Sequence, residues 1–316
     1  MLLRFFLTKL LRLLITVLAA VTLVFVVLRS AGDPLVSLLP PDLPDSVIAV
    51  YRARFGLDVP IWRQYLNYLA SVLAGDFGFS FRTNGPAVNL VLERLPATLA
   101  LGGVALSISI GLGVPLGITA ALYRDRLLDR AVMSLAVFGL AMPNFFIGIL
   151  LILLFTLSLN WLPSSGNGSA LHFIMPSITL GLAVTGTFAR FTRSAVLEVL
   201  GANFMRTAAA KGIGLARRIV HHALPNAAIP LLTLLGFTIG AMIGGAVVTE
   251  TVFAWPGVGR LLIVSVGERD LAVVQLIVLM IAVSMSLTNL LVDMAYVLVD
   301  PRIRIAASAG DAGPPS

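Results

Sequence analysis

The side chains with the most evident chemistry lie in one basic stretch, RTAAAKGIGLARRIVHHALP at 206–225. Its four Lys and Arg side chains could bind phosphate or an acidic surface, because both residue types donate strong hydrogen bonds to anions. The adjacent His221 and His222 could ligate a metal ion. The stretch therefore raises three possibilities: a phosphate site, a metal site or a docking surface.

The spacing fits neither metal ligation nor a phosphate loop. Adjacent residues point about 100° apart on a helix, so His221 and His222 do not share a face as histidines at i and i+4 do. The other histidine is His172, and the chain has no cysteine. The sequence AAAKG at 208–212 lacks the spacing and the hydroxyl of G-x-x-x-x-G-K-[ST], which occurs nowhere in the chain. We expect a non-catalytic protein with no metal site and no cofactor of its own.

Two short helices around a glycine turn are predicted to position these side chains. Asn203 can cap the first helix by accepting a hydrogen bond from a free backbone N–H. That helix runs through Phe204, Arg206, Thr207 and Ala208 to Ala210. Gly212 and Gly214 then let the backbone turn.

The second helix is predicted over 215–224, and Pro225 ends it because proline lacks the N–H of a helix interior. Its apolar face consists of Ala216, Ile219, Val220, Ala223 and Leu224, and its polar face of Arg217, Arg218, His221 and His222. The residues alone leave two functions open. The stretch could anchor to anionic headgroups, or it could be a rigid element on which another protein docks.

The composition places this stretch in a membrane protein. With 58% hydrophobic and 12% charged residues over 316 positions, the chain has too little polar surface for a soluble fold. The net charge of +7 does not indicate nucleic acid, because the cations lie in short loops between apolar runs. We predict an all-α integral membrane protein that contacts the lipid bilayer and binds no nucleic acid.

Six apolar runs are long enough to cross about 30 Å of hydrocarbon. They lie at 10–28, 97–121, 132–157, 174–189, 229–249 and 273–299. The first could also be a signal peptide, but Ser-Ala-Gly at 30–32 is a poor cleavage site, which favours an uncleaved anchor. Kinks are expected at Pro115, Pro143 and Pro230.

The positions of Lys and Arg predict the orientation. An even number of spans puts both termini on one side, which we predict to be cytoplasmic together with the basic 190–228 loop. The long 30–94 segment then faces outward. We divide the chain into a first helix with an external cap at 1–94, a transmembrane domain at 95–300 and a partly disordered cytoplasmic tail at 301–316.

Small residues predict close helix packing in two spans. They are Ala105, Ser109, Gly113 and Gly117 in the second span and Gly236, Gly240 and Gly244 in the fifth. Both ridges could pack within the chain, or the fifth-span ridge could line a pathway at the seam with a partner. Asp293, with Asn289 one turn away, lies deep in the sixth span, where it could hold a structural partner or contact a substrate.

The outward segment 250–271 contains the turn FAWPGVG at 253–259. It predicts a compact loop that dips back toward the pathway. The residues singled out in it are Glu250, Phe253, Trp255 and Pro256.

The basic stretch resembles the cytoplasmic loop of bacterial ABC-importer permeases, in which a Glu-Ala-Ala triplet precedes a glycine and a later Leu-Pro. Here Arg206-Thr207-Ala208 replaces the triplet, Gly212 is the glycine, and Leu224-Pro225 closes the motif. This variant is similar to the branch that imports dipeptides, oligopeptides and nickel. Further matches are FGLD at 55–58, GDFGFSF at 75–81, ERLPATL at 93–99, GGAVVTETVFAWPGVGRL at 244–261 and DPRIR at 300–304.

The resemblance covers roughly 1–305 and implies the first, B-type permease of a pair. It implies six transmembrane helices of the type I importer fold, an external segment between helices 1 and 2 and a coupling helix between helices 4 and 5. The implied partners are a second homologous permease, two cytoplasmic ATPase subunits that carry ATP and Mg, and an external substrate-binding protein. The implied location is the bacterial inner membrane.

The resemblance also implies roles for residues. Coupling to the ATPase falls to Asn203, Phe204, Arg206, Thr207, Ala208, Lys211, Gly212, Leu224 and Pro225, with Ala208 allowing close packing and Gly212 the turn. Glu250, Phe253, Trp255 and Pro256 are implied at the external gate or at the docked binding protein. Ala272 and Leu276 depart from the family pattern, which has a proline and a glycine there. The resemblance therefore does not predict the backbone shape at the start of the last span.

Di- or oligopeptides are the expected substrates, and nickel, glutathione or other small solutes are alternatives. A different class, a secondary transporter or channel independent of ATPase subunits, would need midplane ion sites and often shows an inverted repeat. Neither feature is visible in the sequence.

Overall fold

The computed structural model describes residues 2–30, 43–54, 56–80 and 82–299. The helices in these ranges are α1 Leu2–Ser30, α2 Asp45–Arg54, α3 Ile61–Leu73, α4 Ala87–Leu122, α5 Leu127–Ala141, α6 Asn144–Leu151, α7 Leu171–Gly201, α8 Asn203–Ala210, α9 Leu215–Arg218, α10 Leu224–Val252, α11 Val258–Gly267 and α12 Leu271–Val299. Two π-helical segments, Ile152–Ser158 and Ile219–Ala223, follow α6 and α9. One isolated β-bridge joins Phe79 and Pro86.

The helices confirm the predicted all-α membrane fold. By length and hydropathy, α1, α4, α7 and α12 can each cross a membrane. Two bent pairs, α5 with α6 and the chain on either side of Pro230, bring the number to six if each pair is one span. The predicted kink at Pro230 is a bend of 50°.

The third span, predicted over 132–157 with a kink at Pro143, is broken there into two helices. It breaks between α5 and α6 with a bend of 100°. Met142, the residue before Pro143, has an extended backbone with ψ 128°. The ring of a proline disfavours the helical conformation of the residue before it, so the helix ends there and restarts after Pro143.

Two helices run past the limits that hydropathy predicts. α4 begins at Ala87, inside the predicted external segment, and α7 continues to Gly201, into the predicted 190–228 loop. A hydropathy window detects only the part in hydrocarbon, whereas a helix satisfies its backbone hydrogen bonds equally well in the polar region beyond it.

The small residues of the second span lie against α7 of the same chain. A Cβ built on Gly117 would be 2.5 Å from the Ala189 carbonyl oxygen, and one on Gly113 would be 2.8 Å from that of Thr185. The Ser109 hydroxyl donates to the Gly181 carbonyl at 3.0 Å. Side chains larger than these would separate the two helices.

The fifth-span glycines also pack within the chain. A Cβ on Gly236 would overlap Val292 of α12, and one on Gly240 would be 3.4 Å from Thr288 Cβ. Gly244 lies further out, where a Cβ would be 4.0 Å from Ile281. This ridge therefore packs against α12 of the same chain. The alternative prediction, in which the ridge lines a pathway at the seam with a partner, is wrong for Gly236 and Gly240.

The cap joins the entry to α12 through a buried polar contact. The Ser80 hydroxyl donates to the carboxylate of Asp270, which is 2% exposed, and Gly78 lies against Ala272. α12 begins at Leu271 without a break, and Leu276 lies in the apolar core there. The missing proline and glycine thus leave a regular helix at this entry.

Candidate functional site

The basic loop, residues 203–225, is a helical hairpin whose turn depends on one glycine. Gly212 has φ +75°, a conformation that side chains with a Cβ rarely adopt. Its N–H donates to the Ala209 carbonyl at 3.0 Å, and the Ile213 N–H donates to the Ala208 carbonyl at 3.1 Å. This pair of bonds is a Schellman cap, and Gly212 is its left-handed residue. The predicted turn at Gly212 therefore has a defined geometry.

Asn203 does not cap α8. The N-cap is Ala202, with an extended backbone (φ −69°, ψ 150°) and no side-chain cap bond. Asn203 is already the first helical residue, and its carbonyl accepts a hydrogen bond from the Thr207 hydroxyl at 3.2 Å. The predicted N-cap, Asn203, is therefore one position too late, because the residue with the N-cap backbone conformation is Ala202.

The two faces of α8 have different roles. Met205 and Ala208 are buried against the rest of the chain, with exposed fractions of 2% and 7%. Ala208 therefore packs within the chain and does not form an open surface for close approach by a partner. The face open to a partner is formed by Asn203, Phe204, Arg206, Thr207 and Lys211, all of which are exposed.

Pro225 does not end the second helix of the loop. α9 passes through the π segment Ile219–Ala223 directly into α10, where Leu224 and Pro225 form the first turn. Proline would clash with the carbonyl of a regular helical turn before it, and the wider i→i+5 turns of the π segment remove that clash. The Asn226 side chain donates to the His222 carbonyl at 2.7 Å.

The apolar face of this second helix is narrower than predicted. Ile219 and Ala223 are buried, at 8% and 0% exposed, whereas Val220 is 54% exposed. Ala227, one turn beyond Ala223, packs in a cluster with Ala121 of α4 and with α7. The basic loop is thus continuous with α7 at one end and with α10 at the other, and both helices meet α4 directly above it.

A buried ion pair joins α5 to α7. Arg193 of α7 donates from Nε and Nη2 to the two carboxylate oxygens of Asp129, at 2.6 and 2.7 Å. The Asp125 N–H donates to the same carboxylate at 2.9 Å. Asp129 is 3% exposed, so this bidentate pair ties the start of α5 to α7 in a largely dry environment. Sequence reasoning missed this pair; the available signal was two aspartates, Asp125 and Asp129, among the arginines of 124–130.

The outer turn, residues 250–260, is built around a buried carboxylate. Glu250 is 0% exposed. It accepts hydrogen bonds from the Thr98 hydroxyl at 2.6 Å and from the Arg260 N–H at 3.0 Å. Thr98 in turn accepts from the Val258 N–H at 2.8 Å. These bonds join α4, α10 and α11 at one point.

The aromatic residues of the outer turn are also internal. Trp255 is fully buried, donates from its indole N–H to the Ala97 carbonyl at 2.9 Å, and meets Phe173 edge to face at 4.6 Å. Phe253 is 1% exposed and lies against Gly148 of α6. Pro256 is partly buried. In this conformation Glu250, Phe253 and Trp255 do not form a surface for a docked protein, because their side chains are buried against other parts of the chain.

The deep polar residues of the sixth span have separate surroundings. Asn289 is exposed and lines a small cavity between α12 and the first helix. The side chain of Asp293 lies outside the described residues. The structure therefore gathers the predicted site residues into two separate places, the basic loop and the outer turn.

Comparison with known proteins identifies the family. The model described as "Binding-protein-dependent transport system inner membrane component" matches residues 113–305, and its N-terminal counterpart matches residues 1–102. The glutathione transport system permease protein GsiC of Salmonella typhimurium is 41% identical over 303 residues, 96% of this chain and 99% of the relative. GsiC of Escherichia coli K12 is 40% identical over 273 residues, 86% of this chain and 89% of the relative.

Among solved structures, the inward-facing MetNI methionine ABC transporter is similar with a TM-score of 0.55 and 18% identity, covering 67% of this chain and 97% of that chain. That likeness supports the type I permease fold. The chain belongs to the binding-protein-dependent inner-membrane components, as a non-catalytic, multi-pass permease subunit of the peptide and nickel type of ABC importer, in which separate subunits hydrolyse ATP.

Proposed function

We propose that this chain forms, with a second homologous permease, the pathway by which small peptides enter the cell. An external binding protein delivers the peptide, and two ATPase subunits carrying ATP and Mg drive the cycle from the cytoplasm. Both termini and the basic loop lie on the cytoplasmic side in this proposal, in accord with the distribution of Lys and Arg. Family membership argues against a transporter that works without an ATPase.

Glutathione is the first substrate to test within this class. The relatives at 40–41% identity are named glutathione permeases, and glutathione is itself a small peptide. Di- and oligopeptides remain in the same chemical class, whereas nickel and other small solutes are alternatives. The discriminating measurement is calorimetry of the cognate binding protein with glutathione, a dipeptide and nickel, followed by uptake of the tightest ligand.

One observation carries the proposed coupling: short segments join the exposed face of α8 to two membrane helices, α7 and α10. A single residue, Ala202, separates α8 from α7, and the Schellman cap at Gly212 fixes the direction toward α10. A displacement applied to Phe204, Arg206 or Lys211 would therefore move both helices, because only Ala202 on one side and residues 211–214 on the other separate α8 from the neighbouring helices. We place the ATPase contact on this face.

A pair of glycine variants tests the coupling. Gly212→Val forces a branched side chain into a left-handed backbone, which costs about 1–2 kcal/mol and lowers the population of the native turn about 5- to 30-fold. Gly214→Val is the control, since Gly214 has φ −60° and open space around its Cβ. In proteoliposomes containing the whole complex, Gly212→Val should hydrolyse ATP with little uptake, and Gly214→Val should transport normally. Normal uptake by Gly212→Val would remove the support for coupling through this turn.

A further inference from the structure

A cavity of about 550 Å³, the cap cavity, lies between the cap, the C-terminal end of α1 and the start of α12. Its volume is within the range of about 300–1,000 Å³ that sites for small molecules have. Two motifs to which the family resemblance assigns no role meet in it. FGLD at 55–58 supplies Gly56 and Leu57 to the lining, and GDFGFSF at 75–81 supplies residues 76–79.

Two glutamine amides in the lining lack hydrogen-bond partners. Gln275 of α12 is 9% exposed, and within the described residues its side chain makes no hydrogen bond. Gln64 of α3 donates from Nε2 to the Val59 carbonyl at 2.8 Å, but its buried Oε1 has no partner in the same part of the chain. Leaving buried polar groups unpaired is unfavourable, so a ligand that pairs with them gains affinity. The two amides offer one N–H₂ donor and two acceptors, which complements a peptide group with its N–H and C=O.

A carboxylate lies in the same cavity. Asp76 follows α3 and is exposed, and its Oδ1 accepts a hydrogen bond from the Gly78 N–H at 2.9 Å. Among the residues that the structure describes, no cation pairs with it. Arg29, also in the lining, lies over the Phe25 ring at 5.5 Å from its centroid, so its charge is engaged within the chain. The free Oδ2 of Asp76 is therefore available to an ammonium group, with which a carboxylate forms strong charge-assisted hydrogen bonds.

Resting on the function proposed above, we propose that the cap cavity binds the amino-terminal end of a small peptide. The ammonium group of the peptide binds Asp76, and its first peptide bond pairs with Gln275 and Gln64. A peptide held in this way bridges the cap and α12, and so joins the external segment to the last span. The apolar part of the lining contacts the first side chain of the peptide; it consists of Phe25, Leu57, Tyr68 and Phe77.

Protection of a single cysteine tests the site, because the chain has no cysteine of its own. Ser71→Cys places a thiol in the cavity lining, and Asp45→Cys places one at an exposed position of the cap outside the lining. In the purified complex without the binding protein, alanyl-alanine should slow maleimide labelling of the Ser71→Cys chain in a saturable way and leave the Asp45→Cys chain unaffected. N-acetyl-alanyl-alanine, which lacks the ammonium group, should need an about tenfold higher concentration for half protection.

Substitutions in the Ser71→Cys chain assign the contacts. Asp76→Asn keeps an oxygen for the Gly78 N–H but removes the charge, so it should raise the half-protecting concentration of alanyl-alanine about tenfold and abolish the difference from the acetylated peptide. Asp58→Asn is the matched control, since Asp58 is an exposed carboxylate of the cap outside the lining, and should change neither value. Gln275→Leu should also weaken protection, yet raise the melting temperature of the complex, because it removes a buried amide without a partner. A purely structural role for Gln275 would lower the melting temperature instead.

Several outcomes would overturn the proposal. Labelling of Ser71→Cys that is unchanged up to the solubility limit of alanyl-alanine would do so, as would equal half-protecting concentrations for the free and the acetylated peptide. Protection that requires the docked binding protein and is the same with and without peptide would assign the cavity to that protein. ATP-driven uptake of alanyl-alanine is measured separately in proteoliposomes. Uptake without protection would overturn the cavity site and leave the proposed function standing, whereas protection without uptake would support the site and count against the proposed function.

Discussion

The ion pair between Asp129 and Arg193 gives a quantitative expectation for Asp129→Asn. The substitution keeps the shape of the side chain but removes the charge and one of its acceptor oxygens, so Arg193 is left without its anion. Asp129 has a side chain only 4% exposed and Arg193 one 23% exposed. Breaking a fully buried pair costs about 3–5 kcal/mol, and an exposed pair is worth about 0–1 kcal/mol. We expect Asp129→Asn to lower the free energy of unfolding by about 2–3 kcal/mol, between these limits.

Asp125→Asn provides the control in the same loop. Asp125 pairs with Arg124 at 3.3 Å, but the two side chains are 78% and 66% exposed. Its φ of +62° is one that asparagine tolerates well, and its backbone N–H still reaches Asp129. This variant should change stability by less than about 0.5 kcal/mol.

The assay is a double-mutant cycle with Arg193→Gln, measured by SDS titration of the purified complex in mixed micelles. Each single variant leaves one charge buried, whereas the double variant leaves none. The double variant should therefore cost about as much as either single variant, well below their sum. Additive losses, or a loss below about 0.5 kcal/mol for Asp129→Asn, would refute the view that this pair fastens α5 to α7.

Three further outcomes are expected. Glu250→Gln should lower the free energy of unfolding by about 2 kcal/mol, because the amide has one acceptor oxygen in place of the two that take hydrogen bonds from the Thr98 hydroxyl and the Arg260 N–H, and an unchanged melting temperature would contradict this. Gly259→Ala should reduce the folded yield, since its Cβ would lie 2.6 Å from Val247 Cα, whereas Gly214→Ala has open space and should not. Because the chain has no cysteine, a single cysteine at Arg126, which is exposed and lies away from the proposed ATPase contact, should react with an impermeant maleimide only from the cytoplasmic side, and one at Thr83 only from outside; the reverse would invert the proposed orientation.

The all-α class and the number of spans were predictable, because hydropathy over about 20 residues is a local property. The break at Pro143 was placed correctly but expected as a kink. Whether a proline bends a helix or ends it depends on the neighbours that satisfy the freed backbone, which one sequence does not show. The start of α4 at Ala87 and the end of α7 at Gly201 were not predicted, because hydropathy does not detect the parts of a helix that extend beyond the apolar span.

The basic loop was predictable as a helix-turn-helix with its turn at Gly212. The faces were harder, because which side of an eight-residue helix packs inward depends on distant residues. Ala208 was expected at an open surface and is buried. Likewise, Phe253 and Trp255 were expected at an outer surface and form core, and the ion pair joins residues 64 positions apart in the sequence.

The 100° bend at Pro143 makes the third span a two-armed element with a separate attachment at each end. One arm, α5, begins at Leu127 and is held by the Asp129–Arg193 ion pair, and the other arm, α6, packs Gly148 against Phe253 of the outer turn. Rotation of the first arm must either change the angle at Pro143 or shift the outer turn. The ion pair at Asp129 and the outer turn would then respond to each other through about twenty residues of chain, from 129 to 148, without any helix sliding along its axis.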